Sequence, residues 1–247
     1  MPRTAARVET IGPFTLFVNK HSGGFPYYAR PSLGASEFAV DDVNKVRERQ
    51  RQLDIPETFE WVHETTPALA SATLGSGLAL HRHPLQVLER EWPVSSVEGI
   101  TIRLVTADEA DLARISAVSR IAFGSPGTAV GEEGPETLEL ARPDSVDDQR
   151  QRLRDGLTIT AAAFTAAGDP VGSGSHQPVG DVSEIVGVGT LPAFRRRGIG
   201  AALTALLVRD ALQRVRTVFL SAGDDDVARM YERVGFRRVA TACIAEP

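Results

Sequence analysis

A single cysteine, Cys243, leaves no partner for an internal disulfide. No apolar run reaches the roughly 18 residues that a bilayer-spanning helix requires, so no membrane partner is expected. Residues Met1 to Arg7 lack the apolar core of a secretory leader, which makes the cytoplasm the simplest location. The formal net charge of −5 lacks the cationic excess that phosphate backbones select, and nucleic acid is excluded as a main partner. Metal-ligand spacing is also missing. His81 and His83 alternate on one strand with no further ligands nearby in sequence, so they read as surface histidines and no metal is expected. Two common phosphate signatures are absent as well, namely Gly-x-x-x-x-Gly-Lys-Ser/Thr and a helix-opening Gly-x-Gly-x-x-Gly. What remains is a chain whose 42% hydrophobic content supports ordinary globular cores, with room in its 247 residues for more than one unit.

The informative stretch is 184–200, Glu-Ile-Val-Gly-Val-Gly-Thr-Leu-Pro-Ala-Phe-Arg-Arg-Arg-Gly-Ile-Gly. An apolar strand, a short turn, three arginines and two glycines stand directly ahead of a helix. A helix N-terminus carries free N–H groups and partial positive charge, so Arg195, Arg196 and Arg197 are locally unfavourable there unless an anion joins them. Gly198 and Gly200 remove the Cβ atoms that would keep that anion from the amides, which makes the turn a candidate seat for a diphosphate. The helix that follows has Ile199, Leu203, Leu206, Leu207 and Ala211 on one face. Thr217 to Ser221 reads as a short buried strand, Asp226 to Val234 as a second helix closed by Gly235, and Phe236 with Arg238 to Ile244 as a last strand.

The pattern Arg195-x-x-Gly198-x-Gly200 after a strand ending Val188-Gly189-Thr190 resembles the acyl-CoA site of the GNAT superfamily of N-acyltransferases. A second motif follows about thirty residues later. Where that family commonly has Asn-x-x-Ala-x-x-Leu-Tyr-x-x-x-Gly-Phe, this chain has Asp224 to Phe236, with Tyr231 and Gly235-Phe236 in place, Asp224 for the asparagine and Val227 for the alanine. The resemblance covers residues 99–247 and implies an α/β fold, a mixed central sheet flanked by helices. It implies acetyl-CoA as co-substrate, held by Val188, Gly189, Thr190, Arg195, Arg196, Arg197, Gly198, Ile199, Gly200 and Ala201, with Asp224 near the pantetheine. It also implies that the strand carrying Val188 and Thr190 splays from its neighbour to admit the cofactor.

Transfer of an acyl group from a thioester to an amine needs a neutral nucleophile and a proton for the departing thiolate. An amine with a pKa of about 10.4 needs a base near neutrality, whereas a phenol with a pKa of about 10 keeps its proton. Tyr231 is therefore the candidate acid. Glu184 stands where histone-acetylating relatives carry a glutamate base and is the candidate base, directly or through a water, with His176 as its rival. The acceptor is a primary amine whose identity stays open among small amines, amino acids, aminoglycosides, peptides and protein lysines. A non-catalytic acyl-CoA sensor or scaffold is the alternative reading; Tyr231 and Glu184 favour the enzyme, since a binder needs only the arginine and glycine seat.

The remaining elements are expected as follows. Ile100 to Val105 alternates as a strand, and Thr106 to Phe123 is helical with Asp108 as cap. Residues 124–148 form a loop over the acceptor site, with Glu132, Glu133 and Glu136 as attractors of a cation, ahead of a hairpin of Leu157 to Ala166 and Val171 to Val179. In the N-terminal part, Phe14 to Val18, Tyr27 to Arg30, Phe59 to Glu64 and Ala79 to Leu88 read as strands and Val40 to Gln52 as a helix. A further helix begins at Thr65-Thr66-Pro67 and ends at Gly77-Leu78. The order of helix, Gly-apolar and strand repeats that of the C-terminal part, with Thr73 falling where Tyr231 stands. The expected organisation is a degenerate GNAT-like unit at 8–91, a linker at 92–98 and a catalytic unit at 99–247, with a second copy of the chain left open as a partner.

Overall fold

A computed structural model describes residues 6–19, 27–93, 95–125 and 127–247. By compactness the chain forms two units, Met1–Leu85 together with Val239–Pro247, and Gln86–Arg238. The division differs from the boundaries drawn on the sequence, because the last nine residues count with the first unit. The linker expected at 92–98 includes Val94, which lies outside the described residues, as do Met1 to Ala5 of the expected leaderless start and residues 20–26 of the expected N-terminal unit.

In the first unit, β1 (Ala6–Ile11) and β2 (Phe14–Asn19) pair antiparallel, and β2 continues antiparallel onto β3 (Ala29–Pro31). β1 is an addition to the sequence reading. Its exposed Arg7 and Val8 and half-buried Glu9 carry no apolar alternation strong enough to announce it. α1 (Val40–Gln52) then crosses over to β4 (Phe59–Val62), which runs parallel to β3. Spacing of Val43, Val46 and Gln50 gives α1 one buried face, and Phe14, Leu16, Phe59, Trp61 and Leu69 fill the core beneath it. α2 (Leu69–Gly75) starts two residues beyond Pro67, so the proline precedes the helix instead of sitting in its first turn. Gly77, at φ 82, turns the chain into β5 (Ala79–Leu88). The unit is completed by the end of β11 (Phe236–Glu246), where Ala242 to Ala245 pair antiparallel with Val62 to Phe59 of β4.

The second unit is built on the strand order β10-β9-β8-β7-β6. β6 (Ile100–Val105), β7 (Ile159–Thr165), β8 (Pro170–Val179) and β9 (Val182–Thr190) form an antiparallel meander, and β10 (Thr217–Ser221) joins β9 in parallel. α3 (Leu112–Gly124) covers one face and α5 (Ile199–Ala211) the other, since Ser173 of β8 bonds Ser119 of α3 while a Cβ on its neighbour Gly172 would lie 2.8 Å from Ile199 of α5. Glycines at 172, 174 and 189 thus let helix and strand backbones approach closely. Asp108 does not cap α3; it pairs with Arg154, and the helix starts after Asp111. The stretch expected as loop at 124–148 contains a 3-10 helix, Pro135–Ala141, whose Leu138 is fully buried, and leads into α4 (Asp147–Arg154). α6 (Asp225–Arg233) follows β10.

Candidate functional site

The turn ahead of α5 is shaped by two left-handed residues, Arg196 at φ 64 and Gly198 at φ 84. Positive φ costs a non-glycine residue about 1 kcal/mol or more, so Arg196 in that region is a local strain that neighbouring structure holds. Left-handed residues interleaved with ordinary ones aim successive N–H groups into one concavity, which is an anion-binding shape. The amides of residues 196–201 donate to no described residue, and the first turn of α5 contains no acidic side chain. Around Gly200, an added Cβ would stand 3.9 Å from both Thr190 Oγ1 and Met230 Cε, which brings the end of β9, the start of α5 and the helix carrying Tyr231 to one place. Beside the turn lies a cavity of about 200 Å³ lined by Trp92, Ser95, Ser96, Arg197, Gly198 and Ala201.

β9 forks at this site. Its parallel pairing with β10 covers only Val182, Ser183 and Glu184, matched with Thr217, Val218 and Phe219. Among the described residues, none pairs with Ile185 to Thr190 on that side, while β9 stays paired with β8 as far as Thr190. The fork coincides with a β-bulge in the ladder to β8, where the register shifts between Ser173 and Ser175 and Gly187 takes φ 64. Val188, Gly189 and Thr190 therefore lie along the open side. Glu184 stands at the crotch, opposite Gln177 of β8.

Tyr231 is 6% exposed and meets Phe236 edge-on at 5.9 Å, and its burial alone pushes the phenol pKa well above the ordinary value. Asp224 is the N-cap of α6, its Oδ1 accepting the Val227 N–H at 2.8 Å, so the carboxylate that replaces the family's asparagine serves its own helix. Glu133 and Glu136 are likewise occupied, by the Ser125 hydroxyl and the Gly134 amide, whereas Glu132 is exposed.

Two expectations change. Arg195, expected among the cofactor contacts, donates through its guanidinium to the carbonyls of Thr190, Ala122, Ser125 and Ala129, and its amide donates to Pro192 O. Its charge adds to the positive field of the turn, but its donors are spent on the protein. His176, the rival base, is fully buried on the α5 side of the sheet, with Nδ1 2.9 Å from Ser183 Oγ and Nε2 2.9 Å from Asp210 Oδ2. Desolvation lowers its pKa against the opposing pull of Asp210. Enclosed in this way, it cannot meet an incoming amine. Sequence reasoning missed the bulge and the Arg195 contacts; the repeated Gly187-Val-Gly189 within a strand was the available signal for the first.

The first unit repeats the topology without the seat. β3, α1 and β4 correspond in order and direction to β9, α5 and β10, but α1 opens with Asp41 and Asp42, and Asp42 accepts the Ala39 amide. These carboxylates already fill the positive end of that helix. Arg30 of β3 is ion-paired with Glu60 of β4, and Thr73, at the place of Tyr231, is buried with its hydroxyl bonded to the carbonyls of Leu69 and Ala70.

Residues 130–236 match the family model described as the acetyltransferase (GNAT) family. Among solved structures, a GCN5-related N-acetyltransferase from Kribbella flavida is similar at 25% identity and a TM-score of 0.69, over 99% of this chain and 90% of that one. A tandem GNAT protein from the clavulanic acid biosynthesis pathway shares the fold at 15% identity and a TM-score of 0.58, over 100% of this chain and 84% of that one. None of the curated proteins is a match. No described helix is long and apolar enough to cross a membrane, and no described group of three His, Cys, Asp or Glu side chains is placed to hold a metal. Residues 130–236 are thus similar to the acetyltransferase (GNAT) family, and the chain shares its fold with solved N-acetyltransferases.

Proposed function

We propose that the second unit is an N-acetyltransferase that moves the acetyl group of acetyl-CoA to a primary amine by direct attack. The observation that carries this reading is the row of unengaged amides at 196–201, set by left-handed Arg196 and Gly198 at the positive end of α5 and opening beside the fork between β9 and β10. These groups fit a diphosphate at the turn and an extended pantetheine along Val188 to Thr190. Acetyl-CoA, when bound, supplies the thioester. Exposed Arg196 and Arg197 add charge for the phosphates, and the amides along the fork hold and polarise the carbonyl. Glu184, at the crotch, takes a proton from the amine, directly or through a water, as the C–N bond forms. Tyr231 delivers its proton to the sulfur as the C–S bond breaks, since a phenol enters the reaction protonated near neutral pH.

A calorimetric titration of Gly200→Ile with acetyl-CoA tests the seat. The added Cβ meets only ordinary van der Waals neighbours, so the fold should persist while the branched side chain covers the amides. Loss of binding by roughly 100-fold or more is expected, in line with losing several charge-assisted hydrogen bonds. Affinity equal to that of the parent overturns the reading. Free-thiol release over a panel of amines then separates an enzyme from an acyl-CoA sensor and identifies the acceptor.

A further inference from the structure

The side chain of Arg195 joins three pieces of the second unit. Nη2 reaches Ala122 O at 3.0 Å and Ser125 O at 2.6 Å, both at the C-terminal end of α3; Nη1 reaches Ala129 O at 3.1 Å; and Nε reaches Thr190 O at 3.3 Å at the end of β9. The carbonyls at a helix C-terminus lack intrahelical partners and carry partial negative charge, so a guanidinium there is held strongly. Backbone contacts tighten the same junction. Gly131 N donates to Pro192 O at 3.2 Å, and Ala193 N donates to Glu133 O at 3.1 Å. A Cβ on Gly131 would lie 2.8 Å from Pro192 Cβ, so this approach depends on glycine. Residues 129–133, which carry Glu132 and Glu133, are thus built directly onto the turn that presents the 196–201 amides.

We propose that Arg195 is a positioning residue for the acceptor. Its guanidinium fixes segment 129–133 against the cofactor turn and makes no contact with the cofactor. The inference rests on the acetyltransferase reading, since only that reading gives the segment an acceptor to position.

The test uses the full chain with Arg195→Met, which keeps the aliphatic stem, and Arg195→Lys, which keeps the charge but not the fork of donors. Amide hydrogen exchange is followed at Gly131 and Ala193 in the free protein, with β7 amides as a control for global folding. In Arg195→Met these two amides should exchange at least about tenfold faster while β7 is unchanged, with Arg195→Lys in between. Acetyl-CoA affinity by calorimetry should stay within about threefold of the parent in both variants. For whichever amine the thiol-release panel selects, KM for the amine should rise and KM for acetyl-CoA should not. Unchanged exchange at Gly131 and Ala193 overturns the positioning role. A collapse of acetyl-CoA affinity with unchanged exchange also overturns it, by making Arg195 a phosphate contact. If the parent itself binds no acetyl-CoA, the acetyltransferase reading fails, and the exchange data identify that failure separately by still reporting the Arg195 contacts. Should Arg195→Met not fold, the same three comparisons are made on Arg195→Lys.

Discussion

At Tyr231 the proposed chemistry needs a phenol that holds its proton until the C–S bond breaks. The ring is packed against Phe236, and burial raises the phenol pKa, so the hydroxyl keeps its proton across the whole physiological range. Tyr231→Phe retains the packing and removes the proton donor. Turnover should fall by about 100- to 10,000-fold with acetyl-CoA affinity nearly unchanged, as steady-state kinetics and calorimetry would measure; turnover within twofold of the parent would return the residue to packing. His176 shows the opposite shift. Burial lowers its pKa, while Ser183, Asp210 and, through Asp210, Arg214 surround it. The unfolded chain takes up this proton near pH 6.5 and the folded chain resists it, so stability is full above about pH 6.5 and declines as the pH falls through the lowered folded value. Asp210, also lowered in the fold, adds a loss in the same direction at more acid pH. The thermal midpoint should therefore drop between pH 7 and pH 5. His176→Gln should be less stable at neutral pH yet flatter over that interval, and a parent whose midpoint does not move would contradict the assignment.

Among the elements, the strands and helices with local signals were readable from sequence, and those set by distant partners were not. α1, β5, β6 and β10 fall at the expected residues because apolar spacing and turn residues define them locally. Gly235 was read as a helix terminator, and it takes φ 101 after α6, but its stricter constraint is tertiary: a Cβ there would lie 2.0 Å from Arg90 O, 145 positions away in the chain. Gly235→Ala combines a left-handed backbone with that clash. It should destabilise by about 3 kcal/mol or more in denaturant unfolding, whereas Gly77→Ala, at φ 82 with open space around it, should cost only about 1 kcal/mol. Similar costs at both positions would refute this account. In the candidate site, the amide row and the glycines were legible because helix-end electrostatics is written in local sequence. The opening of β9 beyond Glu184 was expected only through the resemblance, and the bulge at Gly187 and the four carbonyls gathered by Arg195 were not legible at all, since each depends on where a neighbouring strand or helix ends. The Arg195 motif itself was legible, but nothing local to it showed that its guanidinium donates to the carbonyls of Thr190, Ala122, Ser125 and Ala129.

For the whole molecule, the destination of the last strand is the feature that sequence order conceals. The C-terminal part supplies β11, yet Ala242 to Ala245 pair with β4, and Cys243 and Ala245 are fully buried in the first unit's core. In return, Gln86 to Leu88 at the end of β5 count with the second unit, where Gln86 donates to Ala228 O three residues before Tyr231 and Glu89 N donates to Gly235 O. Each half of the sequence therefore finishes the other's fold. Expressing residues 92–247 alone removes β4 and the end of β5 together. The ladder of Ala242 to Ala245 is then left open as an apolar edge, α6 loses the amide donated by Gln86, and such edges template unwanted pairing. The fragment should be aggregated or oligomeric by light scattering, and it should bind acetyl-CoA poorly because the helix carrying Met230 and Tyr231 has lost a buried support. Co-expression of residues 1–91 as a separate chain should restore a soluble one-to-one complex, since both missing strand segments return with it. A fragment 92–247 that is soluble, monomeric and binds acetyl-CoA like the full chain would show that the strand exchange is dispensable and that the N-terminal unit is an independent module.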